Sequence, residues 1–183
     1  MDESMRTHLA NLYSDDKEEG YQAFMAVLAA TDKPVDWAYD VWDVLVTDLS
    51  HKDNHRRTIA AQVLCNLAKS DPESRMMRDF DSLFAVTRDA RFVTARHCLQ
   101  AIWKVGAAGP VQQKRLVDSL EQRFIECSAE KNYTLIRYDI IQGLRNLYNV
   151  VGDESLKAKA QALIEIETDT KYRKKYTGIW KAI

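Results

Sequence analysis

Gln100-Ala101-Ile102-Trp103-Lys104-Val105 has two counterparts, Gln62-Val63-Leu64-Cys65-Asn66-Leu67 and Gln142-Gly143-Leu144-Arg145-Asn146-Leu147. Each is a glutamine followed by apolar residues two and five positions later. Gln22-Ala23-Phe24-Met25-Ala26-Val27 fits as a fourth, so the glutamines step by 40, 38 and 42 residues. The prolines keep similar time: Pro34, Pro72 and Pro110 lie 38 apart, each read as preceding or opening a helix, where a missing N–H costs nothing. A third marker, Asp43-Val44-Leu45, Asp81-Ser82-Leu83 and Asp118-Ser119-Leu120, falls nine, nine and eight residues after those prolines. A period near forty residues marks a helical-pair repeat. The proline-to-glutamine distance is 28 in the first two units and 32 in the third, which predicts a four-residue insertion near 126–132, between helices.

Working outward, apolar residues recur at helical spacing, and only three prolines and six glycines interrupt 183 residues. The pattern predicts helices over about 3–13, 17–30, 35–49, 53–69, 73–88, 91–106, 111–128, 131–150, 154–168 and 170–182, and no strand. On the second helix of each pair, Ala60, Val63, Leu64 and Leu67, then Phe92, Ala95, Leu99 and Ile102, then Ile136, Ile140, Leu144 and Leu147 form apolar stripes assigned to the core.

The 38-residue spacing, the two helices per unit and the openings Asp53…Arg57 and Asp89…Arg96 resemble HEAT repeats over about residues 17–168. The resemblance implies an all-α chain: a right-handed α–α superhelix, a HEAT-like solenoid of about four helical pairs, in a single domain over 1–183. Cap helices would occupy 1–33, repeats 34–71, 72–109 and 110–152, and a terminal pair with a capping helix 153–183. It also implies that Asp53 with Arg57 and Asp89 with Arg96 tie neighbouring units, while Arg137 lacks a matching Asp. Tyr172, Tyr176, Ile179 and Ile183 share a stripe on the last helix, with Trp180 sealing the end of the stack.

The chemistry-bearing residues give no reaction centre. His51 and His55 are four apart but fall at a turn and helix start without a third ligand, so no metal is predicted. Cys98 reads as core and His97 as surface or interface, and no nucleophile arrangement or glycine-rich phosphate loop occurs. Carboxylates such as Asp15, Asp16, Glu18 and Glu19 begin helices or solvate faces. No cofactor and no catalytic residue is predicted. Three scattered cysteines fit a reducing compartment, and the opening Met1-Asp2-Glu3-Ser4 carries neither a basic nor an apolar leader, so a cytoplasmic location is expected.

Residues four before, at, three after and four after each repeated glutamine share one helical strip. It reads Thr58, Gln62, Cys65, Asn66; Arg96, Gln100, Trp103, Lys104; and Tyr138, Gln142, Arg145, Asn146. Aromatic and arginine side chains are enriched at binding hot spots. The expected partner surface is therefore Gln62, Arg96, Gln100, Trp103, Lys104, Tyr138, Gln142, Arg145 and Asn146, with Trp103 and Arg145 as anchors. The leading expectation is a non-catalytic scaffold binding a protein or peptide on its concave inner-helix face.

The alternative is a nucleic-acid-binding protein similar to the HEAT-like alkylpurine DNA glycosylases, with Arg56, Arg57, Arg91, Arg96, Lys104, Arg137 and Arg145 as a basic track. The formal net charge of −1 gives the whole chain no bias toward nucleic acid. A weaker resemblance, in the repeat alone, is to HEAT-repeat bilin lyases.

Overall fold

The computed structural model describes residues 1–181; Ile183, assigned above to the last stripe, lies outside the described residues. The chain divides into two compact units, Met1–Ala101 and Ile102–Ile183, the boundary falling inside the predicted 72–109 repeat. The described residues are helical and contain no strand. Unit 1 holds α1 (Glu3–Asn11), α2 (Lys17–Ala30), α3 (Ala38–Asp48), α4 (Asn54–Leu67), α5 (Arg75–Ala85) and α6 (Phe92–Ala101). Unit 2 holds α7 (Trp103–Gly106), α8 (Pro110–Glu126), α9 (Tyr133–Val151), α10 (Glu154–Ile166) and α11 (Thr170–Lys181). Every predicted helix has a counterpart, and the one expected over 91–106 is interrupted at Ile102.

Aspartate sets most of the helix starts, because a carboxylate just ahead of the first turn accepts from N–H groups that have no intrahelical partner. Asp2, Asp16, Asp53, Asp89, Asp153 and Asp169 all do so, and Asp71 accepts from the amides of both Arg75 and Met76. The prolines stand where expected: Pro110 is the first residue of α8, and Pro34 and Pro72 lie just ahead of α3 and α5. The insertion is relocated: α8 has 17 residues against 11 each for α3 and α5, so the additional residues extend a helix.

Within unit 1, α1 packs on α2 and α3 on α4; α2 also meets α4, α4 meets α6, and α3 meets α5. Within unit 2, α8 and α10 pack on α9 and on each other, while α7 and α11 each pack on α9. The apolar stripes are buried as expected, except that Phe92 is half-buried. Side-chain hydrogen bonds recur at nearly one repeat length. Trp42 Nε1 donates to Asp79 across 37 residues, Asn66 to Thr31 across 35, Gln113 to Asp153 across 40 and Lys159 to Glu121 across 38.

The arginine ties differ from the expected pairs. Arg57 leaves Asp53 to its capping role and instead donates from Nε (2.5 Å) and Nη2 (2.9 Å) to the two oxygens of Asp89, 32 residues on. Its equivalent five residues before the repeated glutamine is Arg137, which donates to Glu167, 30 residues on. In the copy between them that position is Ala95, so Arg96 is one residue out of register.

Burial pushes the Asp89 carboxyl up, but the bonds from the Arg57 guanidinium and the Arg91 amide outweigh it and hold the pKa below the usual carboxylate value. A depressed carboxylate contributes stability above its unfolded pKa, near 3.9, and that contribution disappears as pH falls through the lower folded pKa. In Arg57→Met the depression is relieved, so less stability is gained above pH ~4 and its loss begins at a higher pH. Urea midpoints followed from neutral pH down to about pH 3 check this; parallel curves for the two proteins would show that Arg57 does not set the Asp89 titration.

Candidate functional site

The predicted strip is placed on four helices, and the structure covers more of it than the sequence led us to expect. In unit 1, Gln100 is exposed, whereas Gln62 and Arg96 are half-buried. The Gln62 amide donates to the Thr58 carbonyl one turn back (3.2 Å), and the Arg96 guanidinium lies 5.9 Å from the centre of the Phe92 ring. Cys65 and Asn66, read as outward-facing, are buried. Helix α4 is flanked by both α2 and α6, so side chains beside its outer edge meet a neighbour rather than water. Asn66 Nδ2 donates to the Leu28 carbonyl (3.2 Å) and Thr31 Oγ1 (3.0 Å), tying α4 to the end of α2.

In unit 2, Trp103 and Lys104 of α7 are half-buried, with the Lys104 ammonium 5.9 Å from the indole centre. Tyr138, Gln142, Arg145 and Asn146 of α9 are also half-buried. Gln142 Nε2 donates to Asn146 Oδ1 (2.9 Å), so these two amides satisfy one another. Tyr138 stands 6.3 Å from Tyr176 of α11, and the Arg145 guanidinium lies over the rings of Tyr148 (5.6 Å) and Trp180 (5.2 Å). Tyr176 and Trp180 are themselves buried. Arg145 therefore helps seat α11 on α9 as well as reaching the strip. Of the predicted basic track, Arg57 and Arg137 are committed to Asp89 and Glu167.

What the strip missed is a cleft of about 680 Å3 in unit 1. Tyr13, Ser14 and Asp15 from the α1–α2 turn, Lys17, Gly20, Tyr21 and Phe24 of α2, and Asp53, His55 and Arg56 at the start of α4 line it. The Arg56 guanidinium lies 4.2 Å over the Tyr13 ring and 3.6 Å from the buried carboxylate of Asp48. Burial, reinforced by the neighbouring Asp48, raises the Tyr13 pKa, so the hydroxyl stays protonated. Stacking on one side and a carboxylate on the other hold Arg56 in place at the cleft wall. Tyr21 (60% exposed) and Met25 (46% exposed), one turn apart on α2, present large side chains to solvent.

The register held a signal for this cleft. Tyr21 stands one residue before its glutamine, where the later copies have Ala61, Leu99 and Ile141, all buried. A tyrosine at a position that is otherwise core marks a solvent-facing edge of α2. Among the described residues, no three His, Cys, Asp or Glu side chains converge as metal ligands would, and His51 Nδ1 accepts from the Asp53 amide (3.0 Å). Cys65, Cys98 and Cys127 are buried, and burial pushes the Cys98 thiol well up, which makes it inert. No helix among the described residues is long and apolar enough to cross a membrane.

No protein-family model and no curated protein matches the chain. Solved structures do match, among them two titled as the crystal structure of an engineered protein from the Northeast Structural Genomics Consortium. The first is 15% identical with a TM-score of 0.58, covering 98% of this chain and 78% of that one. The second is 14% identical with a TM-score of 0.51, covering 98% of this chain and 47% of the other. At these identities the likeness concerns the fold alone. The chain is all-helical and compatible with a helical-repeat fold.

Proposed function

We propose that this chain is a non-catalytic HEAT-like scaffold, a right-handed α–α superhelix whose second helices line a concave face that holds a segment of a partner protein. The observation that carries the reading is the aromatic cleft beside α2, with Tyr21 and Met25 exposed at its edge. Large apolar side chains standing in solvent beside a concavity are the usual composition of a protein-binding patch, and rigid aromatics give contact area at low entropic cost. The repeat-length hydrogen bonds support the superhelix, because equivalent side chains meet their counterparts one unit away. Gln62, Arg96 and Gln100 in unit 1, and Trp103, Lys104, Tyr138, Gln142, Arg145 and Asn146 in unit 2, are the further contact residues in this reading. A preformed surface of this kind binds without first paying to order itself.

The test is site-specific photo-crosslinking in cells from position 22 or 100, both exposed on second helices, against position 114 on α8 as control. Discrete protein adducts from the first two positions, lost in Tyr21→Ala/Trp103→Ala while far-ultraviolet helicity is unchanged, are expected. Adducts equally abundant from position 114, or unaffected by the double substitution, would overturn the reading. The nucleic-acid alternative loses support from the commitment of Arg57 and Arg137 to internal carboxylates. A duplex-binding titration at low salt separates it, since phosphate contacts produce a steep salt dependence.

A further inference from the structure

The two units carry opposite charge. Unit 1 has 17 acidic and 12 basic residues, a formal charge of −5, whereas unit 2 has 10 acidic and 14 basic, a formal charge of +4. A net charge of −1 conceals this division. In unit 2 the excess gathers on α11. Tyr176 and Trp180 turn one side of that helix into the unit, and Arg173 is spent on the carbonyls of Glu165 and Glu167. The opposite side presents Lys171, Lys174 and Lys175, which with Thr170 line a shallow cavity of about 670 Å3 that has no acidic lining residue. All three lysines are exposed. Lys175 rests over the Tyr172 ring at 4.8 Å, which restricts its freedom before any partner arrives.

The occupant such a surface fits is an acidic turn, and unit 1 carries one. Asp15, Asp16, Glu18 and Glu19 are exposed at the start of α2. Asp16 caps that helix and Glu19 accepts from Asn11 and Ser14, which fixes the shape of the turn. Glu18 accepts from Gln22 Nε2 (2.8 Å) through Oε1, which leaves its Oε2 and the Asp15 carboxylate to face a partner. We propose that a second copy of this chain is the partner: the lysine face of α11 in one copy takes the Asp15–Glu19 turn of the next. The two surfaces differ, so the contact is heterologous and grows head to tail. Exposed ion pairs are individually weak and screened by salt, so assembly depends on concentration and fades as salt rises. The proposal goes beyond the partner-binding reading; its acidic turn adjoins the cleft at α2, which Asp15 and Lys17 also line, while the lysine face of α11 is separate from that cleft's lining.

Sedimentation velocity over a concentration series at low salt is the experiment, with two charge-reversed variants, Lys171→Glu/Lys174→Glu/Lys175→Glu and Asp15→Lys/Glu18→Lys. Asp16 and Glu19 are left intact because they hold the turn. Circular dichroism confirms that each variant folds. The native chain is expected to sediment faster as its concentration rises and to return to the monomer at high salt. Each variant alone should remain monomeric, and an equimolar mixture of the two should associate again, because the reversed surfaces complement each other. A native chain that stays monomeric at every concentration overturns the proposal. So does association unaltered by either variant, or a mixture that does not recover it. Binding of the lysine face to a short duplex or to anionic vesicles, with no self-association, assigns the patch to another class of partner and overturns it equally.

Discussion

Arg137→Met is expected to lower stability by about 3–5 kcal/mol, the range for breaking a buried ion pair from one side. Arg137 and Glu167 are 5% and 0% exposed. The guanidinium donates from Nη1 to Glu167 Oε2 (3.1 Å) and from Nε to the Phe124 carbonyl (3.0 Å), and it lies over the Phe124 and Tyr133 rings. Methionine fills much of the volume but leaves the carboxylate with the Asp169 amide (2.9 Å) as its donor, since the single Tyr176 hydroxyl proton goes to the Thr134 carbonyl (2.6 Å). That donor does not neutralise it. The second substitution Glu167→Leu, made on top of the first, removes the uncompensated charge and should recover more than half of the loss, because an apolar pair in place of an ionic one is often neutral. Urea unfolding of the two single variants and the double variant measures the coupling. Additive losses would mean that each side chain acts through its own packing and that the ion pair contributes nothing.

Trp42→Ala should be comparably costly, at about 3–5 kcal/mol, through the cavity left by a large buried aromatic. The indole is 0% exposed, edge-on to Tyr39 at 5.9 Å, and its Nε1 donates to Asp79 Oδ2 (2.9 Å) on α5. Asp79 keeps both bonds from Arg78, so loss of the indole donor does not strand its charge. The cavity term therefore dominates, and Trp42→Phe, which retains an aromatic ring but not the donor, should cost less than half as much. Hydrogen exchange locates the effect: protection should fall first in α3 and α5, which pack together. A loss below about 1 kcal/mol, or protection lost evenly through unit 1, would show that neighbouring side chains collapse into the space.

These two positions also separate what was readable from what was not. Arg137 was visible as an arginine on a second helix, but its pairing with Glu167 was not, since the sequence offers no way to choose among distant carboxylates. The same limit misassigned Arg57 to Asp53, four residues away, when Asp89 lies 32 residues on. Local rules served best at helix starts: Asp2, Asp16, Asp53 and Asp153 cap their own first turns, an interaction confined to two or three residues.

For the candidate site, the strip was derived from one helix at a time, and helical geometry does place Gln62, Gln100 and Gln142 at equivalent points. It does not say whether a neighbour covers those points. Asn66 is buried because α4 has a helix on either side, whereas Tyr21 is exposed because α2 has only α4 beside it among the second helices of unit 1.

The order of helices, their approximate limits, the apolar stripes and the forty-residue recurrence follow from periodicity within single segments, so the sequence by itself determined them. Tertiary structure alone decided the partner of each arginine, the burial of Asn66, the covering of Tyr138 and Arg145 by α11 and the opening of the cleft at Tyr13 and Arg56. Each of these depends on which surfaces of separate helices meet. That is set by packing between residues 30 or more positions apart, where side-chain periodicity along one rod carries no information.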